Sequence, residues 1–369
     1  MAHPSRDEAI KNIWQPPQEW KTPGAWLWWF WIFFIHDENT RKTGKCRQLM
    51  ILWSIKKDPS IRCNSLGIHV PKQIESRVDG TFRLNGAAAA WYYDGERMHE
   101  DFVLETSHME LDPSRSSLAA PGKTPSSFSL NGNDFITKIK SGSLEFEFIA
   151  RQEDLRGPVG PVHGSTKLPA GMKIEGTRIE RLGLSGTEMH NGTKRAISGT
   201  AYFQKILLAA PPPQWYWGLY HFSDGSFFTY MLPYAGRAAL AGNAWKGAGL
   251  KKPTFPLQQD ILLFHAPTGR VYEGSQLTVA PRKIAGTQNW LHEIKGGGKD
   301  FTIRATARAY SHACWAFEKK IGALPARSRF FYNEYPSVLE RLELRESSGQ
   351  TLLLENGWGN MENSWGFII

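Results

Sequence analysis

The sequence predicts an all-β protein made of two similar antiparallel units, on three observations. Short alternating polar and apolar runs bounded by Gly, Pro, Asn or Asp recur along the chain, whereas long amphipathic helix patterns are scarce. Aromatic-rich strand patterns open each half, at residues 26–55 and 215–231. A glycine-centred block at residues 138–151 resembles residues 293–306 without a gap. These patterns indicate one β-unit present twice.

Composition narrows the class of protein. The 369 residues are enough for a large core, and 41% hydrophobic with 21% charged residues is typical of a globular protein. The 15 Trp are unusual and suit apolar or cationic ligands. The net charge of +9 is not gathered into a basic stripe, so no nucleic-acid partner is expected. Three widely spaced cysteines argue against a disulfide framework and a cysteine metal site.

Residues 26–35, with the sequence WLWWFWIFFI, are the first strong element. Ten residues are too few for a membrane-spanning helix, which needs roughly 20. Their aromatic and β-branched content predicts a strand buried on both faces, with a membrane-dipping segment as the alternative. The polar N-terminal stretch shows no secretory leader, so we expect a cytoplasmic protein, with peripheral membrane contact left open.

Domain organisation follows from the Gly- and Pro-rich stretches. Residues 157–173 and 183–194 are both candidate dividers, and we place the boundary near residue 190. This gives an N-terminal β-domain over residues 1–190 and a C-terminal β-domain over residues 191–369. A Gly/Ala-rich stretch at residues 236–252 is a loop or short helix over a barrel mouth.

Residues 214–231 form the hairpin around which the second unit is organised. Trp215, Trp217 and His221 fall on one side of the predicted strand, and Tyr220 falls on the other. Asp224-Gly225 supplies the left-handed residues of a tight turn. Because both faces are aromatic, both are expected to be covered or to face a cavity.

The pattern resembles the AttH-like, carotenoid 1,2-hydratase (hydroxyneurosporene synthase) superfamily. The resemblance rests on the Trp-rich strand opening each half, the Tyr202-Phe-Gln-Lys205 run, Trp215-Tyr-Trp217 and the paired glycine hairpins. It covers the layout of residues 25–365, and fungal Diels-Alderases of decalin pathways are similar at greater distance. The resemblance implies two lipocalin-like β-barrel domains that act on terpenoid or polyene substrates without a cofactor. No complete catalytic signature matches, so only the class of chemistry carries over.

Hydration of an isolated olefin needs a strong proton donor and stabilisation of a carbocation, and it needs no metal. A carboxylic acid kept protonated by an apolar pocket, or an imidazolium, can donate the proton. Trp and Tyr faces can stabilise the cation by about 2 kcal/mol each when desolvated. A Trp-rich barrel meets this demand, although it would also bind any hydrophobic ligand.

Three residues are predicted to carry the proton chemistry: Glu334, His221 and Asp224. Glu334 shares a strand face with Tyr332, and burial beside that ring would raise the pKa of its carboxyl. His221 shares a face with two tryptophans, and Asp224 is an acid at a hairpin tip. The alternatives are that Glu334 is a strand glutamate facing solvent, that His221 is a core histidine bonded to backbone, and that Asp224 is an aspartate required by the turn.

The predicted substrate-binding residues are aromatic or close an apolar run: Trp215, Trp217, Tyr220, Tyr332, Glu355, Trp358 and Trp28. Glu362 is a carboxylate comparable to Glu355. Core or interface packing is the alternative for Trp28. The spacing of His99, Glu100 and His108 matches no known metal cage, so no metal is predicted. Nucleotide-binding and serine-hydrolase motifs are absent.

The sequence therefore favours a cofactor-free enzyme that acts on an apolar isoprenoid or polyene by proton-initiated hydration, isomerisation or cyclisation. A natural-product pericyclase of the Diels-Alderase kind is the second hypothesis, and a non-enzymatic carrier of a hydrophobic ligand is the third. The expected partner is a hydrophobic small molecule. The oligomeric state does not follow from the sequence.

Overall fold

The structure is a computed structural model that describes residues 5–16, 24–152, 161–167, 173–209, 213–235, 255–287, 289–320 and 327–368. It is 71% strand and 4% helix, which confirms the predicted all-β class. Within the described residues, no helix combines the length and the apolar character that a membrane span requires.

The elements of the first half end at Ala209. In chain order they are α1 (Arg6–Ile13), β1 (Trp26–Ile35), α2 (Thr40–Thr43), β2 (Arg47–Lys56), β3 (Ser60–Cys63), β4 (Leu66–His69), β5 (Ile74–Ser76), β6 (Phe82–Tyr93), β7 (Met98–Asp112), β8 (Ser117–Ala120), β9 (Ser126–Asn131), β10 (Asp134–Ser141), β11 (Leu144–Arg151), β12 (Val162–Lys167), β13 (Lys173–His190) and β14 (Thr193–Ala209).

Over the part of the second half that the structure describes, the elements are all strands. They are β15 (Gln214–His221), β16 (Phe227–Ala235), β17 (Phe255–Pro256), β18 (Asp260–His265), β19 (Arg270–Gly274), β20 (Gln276–Lys283), β21 (Trp290–Gly297), β22 (Phe301–Ala309), β23 (Ala313–Lys320), β24 (Arg327–Glu346) and β25 (Thr351–Ile368).

Ten antiparallel strands of the first half close a barrel. The order around the ring is β1-β2-β6-β7-β8-β9-β10-β11-β13-β14, and β14 pairs with β1. Trp29, Trp31 and Phe33 point into its apolar interior. Helix α1 is attached to this barrel, because the Trp29 indole N–H donates a 2.8 Å hydrogen bond to the Ile13 carbonyl.

The second sheet repeats this plan. β15 pairs with its hairpin partner β16 and with the last strand, β25, just as β1 pairs with β2 and β14. Its interior packs aromatic residues such as Tyr216, Tyr220 and Tyr230. The prediction of two tandem barrel-like domains is confirmed, as a closed barrel and a second large sheet.

The sheets divide at a different place from the predicted boundary. Asn191 and Gly192 form a turn between β13 and β14, which both belong to the first barrel. The chain passes to the second sheet between Ala209 and Gln214. A boundary at residue 190 would cut the first barrel, because the glycines there serve a hairpin. Most of residues 157–173 and all of residues 236–252 lie outside the described residues.

Strand β1 is buried on both faces, as predicted. Alternate side chains point into the first barrel, while Trp26, Phe30 and Ile32 join a separate apolar core between the two sheets. That core also contains Trp215 and Trp217 of β15. The aromatic strand is therefore shared by two cores, which explains its composition.

The predicted β15–β16 hairpin is confirmed, but its turn differs. Gly225 N–H bonds to the Phe222 carbonyl at 3.2 Å, and Phe222 N–H bonds to the Ser226 carbonyl at 2.9 Å. Gly225 has a φ of 92°, whereas Asp224 is not left-handed. The connection is a three-residue loop with one left-handed position, not a two-residue turn with two.

Candidate active site

A cavity of about 220 Å³ lies between the two sheets. Four indoles line it, from Trp26 and Trp28 of β1 and from Trp215 and Trp217 of β15. Because strand side chains alternate, two indoles from each of these strands face the same gap. The Trp26 and Trp28 ring centroids are 4.9 Å apart. Aromatic rings thus form part of the walls, and each sheet supplies two of the indoles.

Two glutamates lie side by side where β24 and β25 form part of the wall. Glu334 and Glu362 are directly opposite each other in this antiparallel pair. Glu362 lines the cavity, and Glu334 is 1% exposed. Glu362 Oε1 accepts a 2.9 Å hydrogen bond from the Tyr332 hydroxyl, and Oε2 accepts one from the Trp215 indole N–H. The carboxyl that faces the cavity is therefore held by two fixed donors.

Burial shifts both carboxyls toward the protonated form. Removal from water raises the pKa of Glu362 to about 7, although the hydrogen bonds from Trp215 and Tyr332 favour its carboxylate. Burial and the neighbouring charge of Glu362 raise the pKa of Glu334 well above its usual value. The Tyr332 and Asn360 side chains favour the carboxylate of Glu334, but burial outweighs them. We infer that a protonated Glu334 donates to Glu362, so that the pair keeps a proton near neutral pH.

This arrangement suits the transfer of a proton to an apolar molecule. A carboxylic acid with a pKa near 7 is half protonated at neutral pH, which is the condition for an effective general acid. The adjacent indole and phenol rings present electron-rich faces to any cation formed in the cavity. The site can therefore both deliver a proton and stabilise the product of that step.

The structure brings five of the predicted residues to this site. Trp28, Trp215, Trp217 and Tyr332 line the cavity, and Glu334 is paired with Glu362. Their catalytic and binding roles remain predictions. From the sequence, Glu362 is only a carboxylate comparable to Glu355. Its position opposite Glu334 cannot be predicted, because it depends on the register between β24 and β25.

His221 is a core residue outside the cavity. Its Nε2–H donates to the Glu180 carbonyl at 2.7 Å, and its Nδ1 accepts from the Thr200 hydroxyl at 2.8 Å. The Thr200 oxygen in turn accepts a 2.9 Å bond from the Trp358 indole. Burial lowers the pKa of His221 well below its usual value. A neutral imidazole with both nitrogens engaged is poorly placed to donate a proton in the cavity, so the geometry gives the predicted roles of His221 and Trp358 no support.

Three other predicted residues also lie away from the cavity. Asp224 is exposed, and its Oδ1 accepts a 2.9 Å bond from the Ser226 N–H, as the turn requires. Glu355 is exposed on β25, opposite Arg341. Tyr220 is fully buried in the apolar core of the second sheet, 3.1 Å from the Ser337 hydroxyl. The turn accounts for the position of Asp224, exposure for that of Glu355, and the inward strand face for that of Tyr220.

Sequence reasoning missed a polar group in the same cavity. Arg178, Gln204, Gln258 and Asp260 all line it. In the sequence each of them looks like an ordinary strand or loop residue on a solvated face. No local signal identifies them, because they meet only when the two sheets pack together.

Comparison with known proteins identifies the fold. No family model and no curated protein matches this chain. A crystal structure assigned as an AttH of Nitrosomonas europaea is similar, with a TM-score of 0.51 at 13% identity over 93% of this chain and 92% of that one. CghA, solved with Sch210972, has a TM-score of 0.50 at 9% identity over 93% of this chain and 88% of that one. Kievitone hydratase from Nectria haematococca has a TM-score of 0.42 at 12% identity over 93% and 89%. The expected likeness to lipocalin-like AttH proteins is confirmed at the level of the fold.

Proposed function

We propose that this protein is a cofactor-independent enzyme that protonates a carbon–carbon double bond of an apolar isoprenoid or polyene. The observation that carries the proposal is Glu362, a carboxyl with a pKa raised to about 7 that lines a cavity walled by four indoles. Its proton adds to one olefinic carbon and leaves a cation on the other. Capture by water followed by loss of a proton to solvent gives hydration, and loss of a proton from carbon gives isomerisation. Attack by a second double bond followed by loss of a proton from the new cation gives cyclisation.

Glu334 has a supporting role in this mechanism. While it is protonated it places no negative charge beside Glu362. After Glu362 has donated its proton, the new carboxylate keeps its bonds from Trp215 and Tyr332 and accepts a third from Glu334. These bonds stabilise the charge that develops during transfer. Solvent then returns a proton to the pair.

A pericyclase is the second candidate. There the shape of the cavity and fixed hydrogen-bond donors hold a polyene in a reactive fold, and no proton reaches carbon. The ordered hydroxyl of Tyr332 and a fold shared with CghA, which was solved with the small molecule Sch210972, support it. A carrier of hydrophobic ligands is the third candidate, and the apolar cavity alone supports that one.

Incubation in D2O separates the three candidates. The protein is mixed with farnesol, squalene or lycopene, and the recovered lipid is analysed by mass spectrometry. Protonation by Glu362 fixes solvent deuterium on carbon, and hydration adds the mass of water as well. A pericyclase yields an isomer without new deuterium, and a carrier returns the substrate unchanged.

Two glutamine variants complete this test. Glu362→Gln is expected to lower deuterium uptake about 100-fold or more, the usual contribution of a general acid, while ligand binding persists. Glu355→Gln is the matched control, because Glu355 lies on the same strand but is exposed. Deuterium uptake that survives Glu362→Gln, or that never occurs with any substrate, would contradict the proposal.

A further inference from the structure

The cavity has a second polar region, distinct from the glutamate pair. Arg178 of β13 and Gln204 of β14 are directly opposite each other in the first barrel. Asp260 of β18 and Gln258 of the loop that precedes it line the same cavity. We refer to Arg178, Gln204, Gln258 and Asp260 as the polar cluster. Both sheets contribute to it, as they do to the aromatic walls.

The register of the second sheet gives the distance between the two polar regions. Asp260 is opposite Met231, Met231 is opposite Trp217, and Trp217 is opposite Glu362. This row spans three strand spacings, or about 14 Å. All four side chains line the cavity. An apolar stretch formed by Met231 and Trp217 thus separates the polar cluster from the acid.

The charges of the polar cluster are nearly balanced. Arg178 Nε lies 3.6 Å from Glu180 Oε1. Burial raises the pKa of Asp260, and the charge of Arg178 opposes that shift. A carboxylate ligand would meet Asp260 at the cavity wall, and a cationic ligand would meet the Arg178 guanidinium. Either charge would be desolvated without a free counter-ion, which is costly. A neutral polar group avoids this cost.

The hydrogen-bonding capacity of the polar cluster is not used up within the protein. The Arg178 side chain keeps 40% of its surface accessible although it forms part of the cavity wall. Gln204 Oε1 accepts a 3.0 Å bond from the Tyr202 hydroxyl, which leaves the amide NH2 as a donor. Asp260 accepts a hydrogen bond from the Gln258 amide and lines the same wall, where its remaining lone pairs can accept another. A hydroxyl, which both donates and accepts, matches this set.

We propose that the polar cluster binds the neutral oxygenated end of an elongated apolar substrate, while a distant double bond of that substrate reaches Glu362. This inference rests on the proposed function and adds the substrate class to it. The substrate is an isoprenoid or polyene alcohol or carbonyl compound, rather than a hydrocarbon or a free acid. Three strand spacings set the separation between the recognised end and the reacting bond.

Binding of four matched ligands tests this inference. Farnesene, farnesol, farnesoic acid and farnesylamine share one chain and differ at the end, and each is measured at pH 7.5 by displacement of Nile red. We expect farnesol to bind about tenfold more tightly than farnesene, the value of one good hydrogen bond. The acid and the amine are expected to bind more weakly than farnesol.

Two variants locate the effect at the polar cluster. Arg178→Met should remove the preference for farnesol and tighten farnesylamine, because Glu180 and Asp260 are then unbalanced. Gln204→Leu should reduce the preference for farnesol without a gain for farnesylamine. Arg341→Met, which changes an arginine of β24 outside the cavity, should bind all four ligands as the wild type does.

The inference is overturned if farnesene binds as tightly as farnesol, if farnesoic acid binds most tightly, or if none of the four displaces Nile red. The readout needs no turnover, so it is separate from the test of the proposed function. A preference for farnesol without deuterium uptake supports the binding role of the polar cluster and contradicts the proposed enzymatic function. Deuterium uptake combined with equal binding of farnesol and farnesene supports the enzyme and contradicts the role of the polar cluster in binding.

Discussion

Glu334 and Glu362 face each other across an antiparallel pair, where side chains of opposed residues approach within about 5 Å. Two carboxylates at that distance repel each other, and here neither is exposed to solvent that would screen them. The ladder register therefore dictates that at least one carboxyl stays protonated. The fold itself produces an acid at this position.

At the residue scale, this pair predicts how stability depends on pH. The folded-state pKa of Glu362 is about 7, above its value near 4.5 in the unfolded chain. The stabilisation that protonated Glu362 gives the folded state is complete below pH 4.5 and is lost as the pH rises through about 7. The loss amounts to about 3 kcal/mol in the free energy of unfolding. Glu362→Gln should remove this loss. Urea unfolding at pH 4.5, 6, 7.5 and 9 measures it, and parallel pH profiles for the two proteins would contradict it.

At the element scale, strand β1 performs two tasks with its two faces. Trp31 is fully buried in the first barrel, and Trp28 is half-buried against the cavity. Alternation along the strand makes these faces separable by mutation. The sequence predicted burial on both faces, but it could not assign the even-numbered face to a cavity.

This separation gives a prediction for a matched pair of variants. Trp31→Ala leaves a void in a packed core and should cost about 3–5 kcal/mol in the free energy of unfolding, with little effect on ligand binding in the protein that remains folded. Trp28→Ala should cost less than half as much and should weaken farnesol binding. Urea titration and Nile red displacement check the two effects. Equal losses of stability would contradict the assignment of the faces.

The glycine-centred repeat shows how far strand patterns can be predicted from sequence. Both blocks form antiparallel hairpins, β10–β11 and β21–β22, as expected. In the first block Gly142 lies in the turn, but its predicted counterpart Gly297 lies within a strand, opposite Thr302. The second turn thus comes two residues later than the ungapped match implies. Because a shift of two residues keeps every side chain on the same face of its strand, the alternation of polar and apolar residues cannot reveal it.

At the scale of the whole molecule, the fold was predictable and the cavity was not. Period-two patterns define the two faces of each strand, and turn residues define the hairpins, so the β-class and the two units follow. Which face of one sheet packs on which face of the other is a long-range property without a local signal. The sequence therefore pointed to Glu334 as the sharper candidate but kept His221 and Asp224 as candidates beside it.

The two halves are joined by more than the connection after Ala209. Strands β3 and β4 of the first half extend the second sheet through β23, and a shared apolar core lies between the sheets. We therefore expect the full chain to unfold in one cooperative transition. Tryptophan fluorescence and far-ultraviolet circular dichroism should give the same urea midpoint. Two resolved midpoints would show that the halves are independent.

The cavity of about 220 Å³ takes its walls from both sheets. A ligand bound there contacts both halves of the chain and binds only while they are packed together. By mass action, a ligand at about 100 times its Kd adds about 2.7 kcal/mol to the free energy of unfolding. Occupancy therefore couples the two halves as well as filling the site.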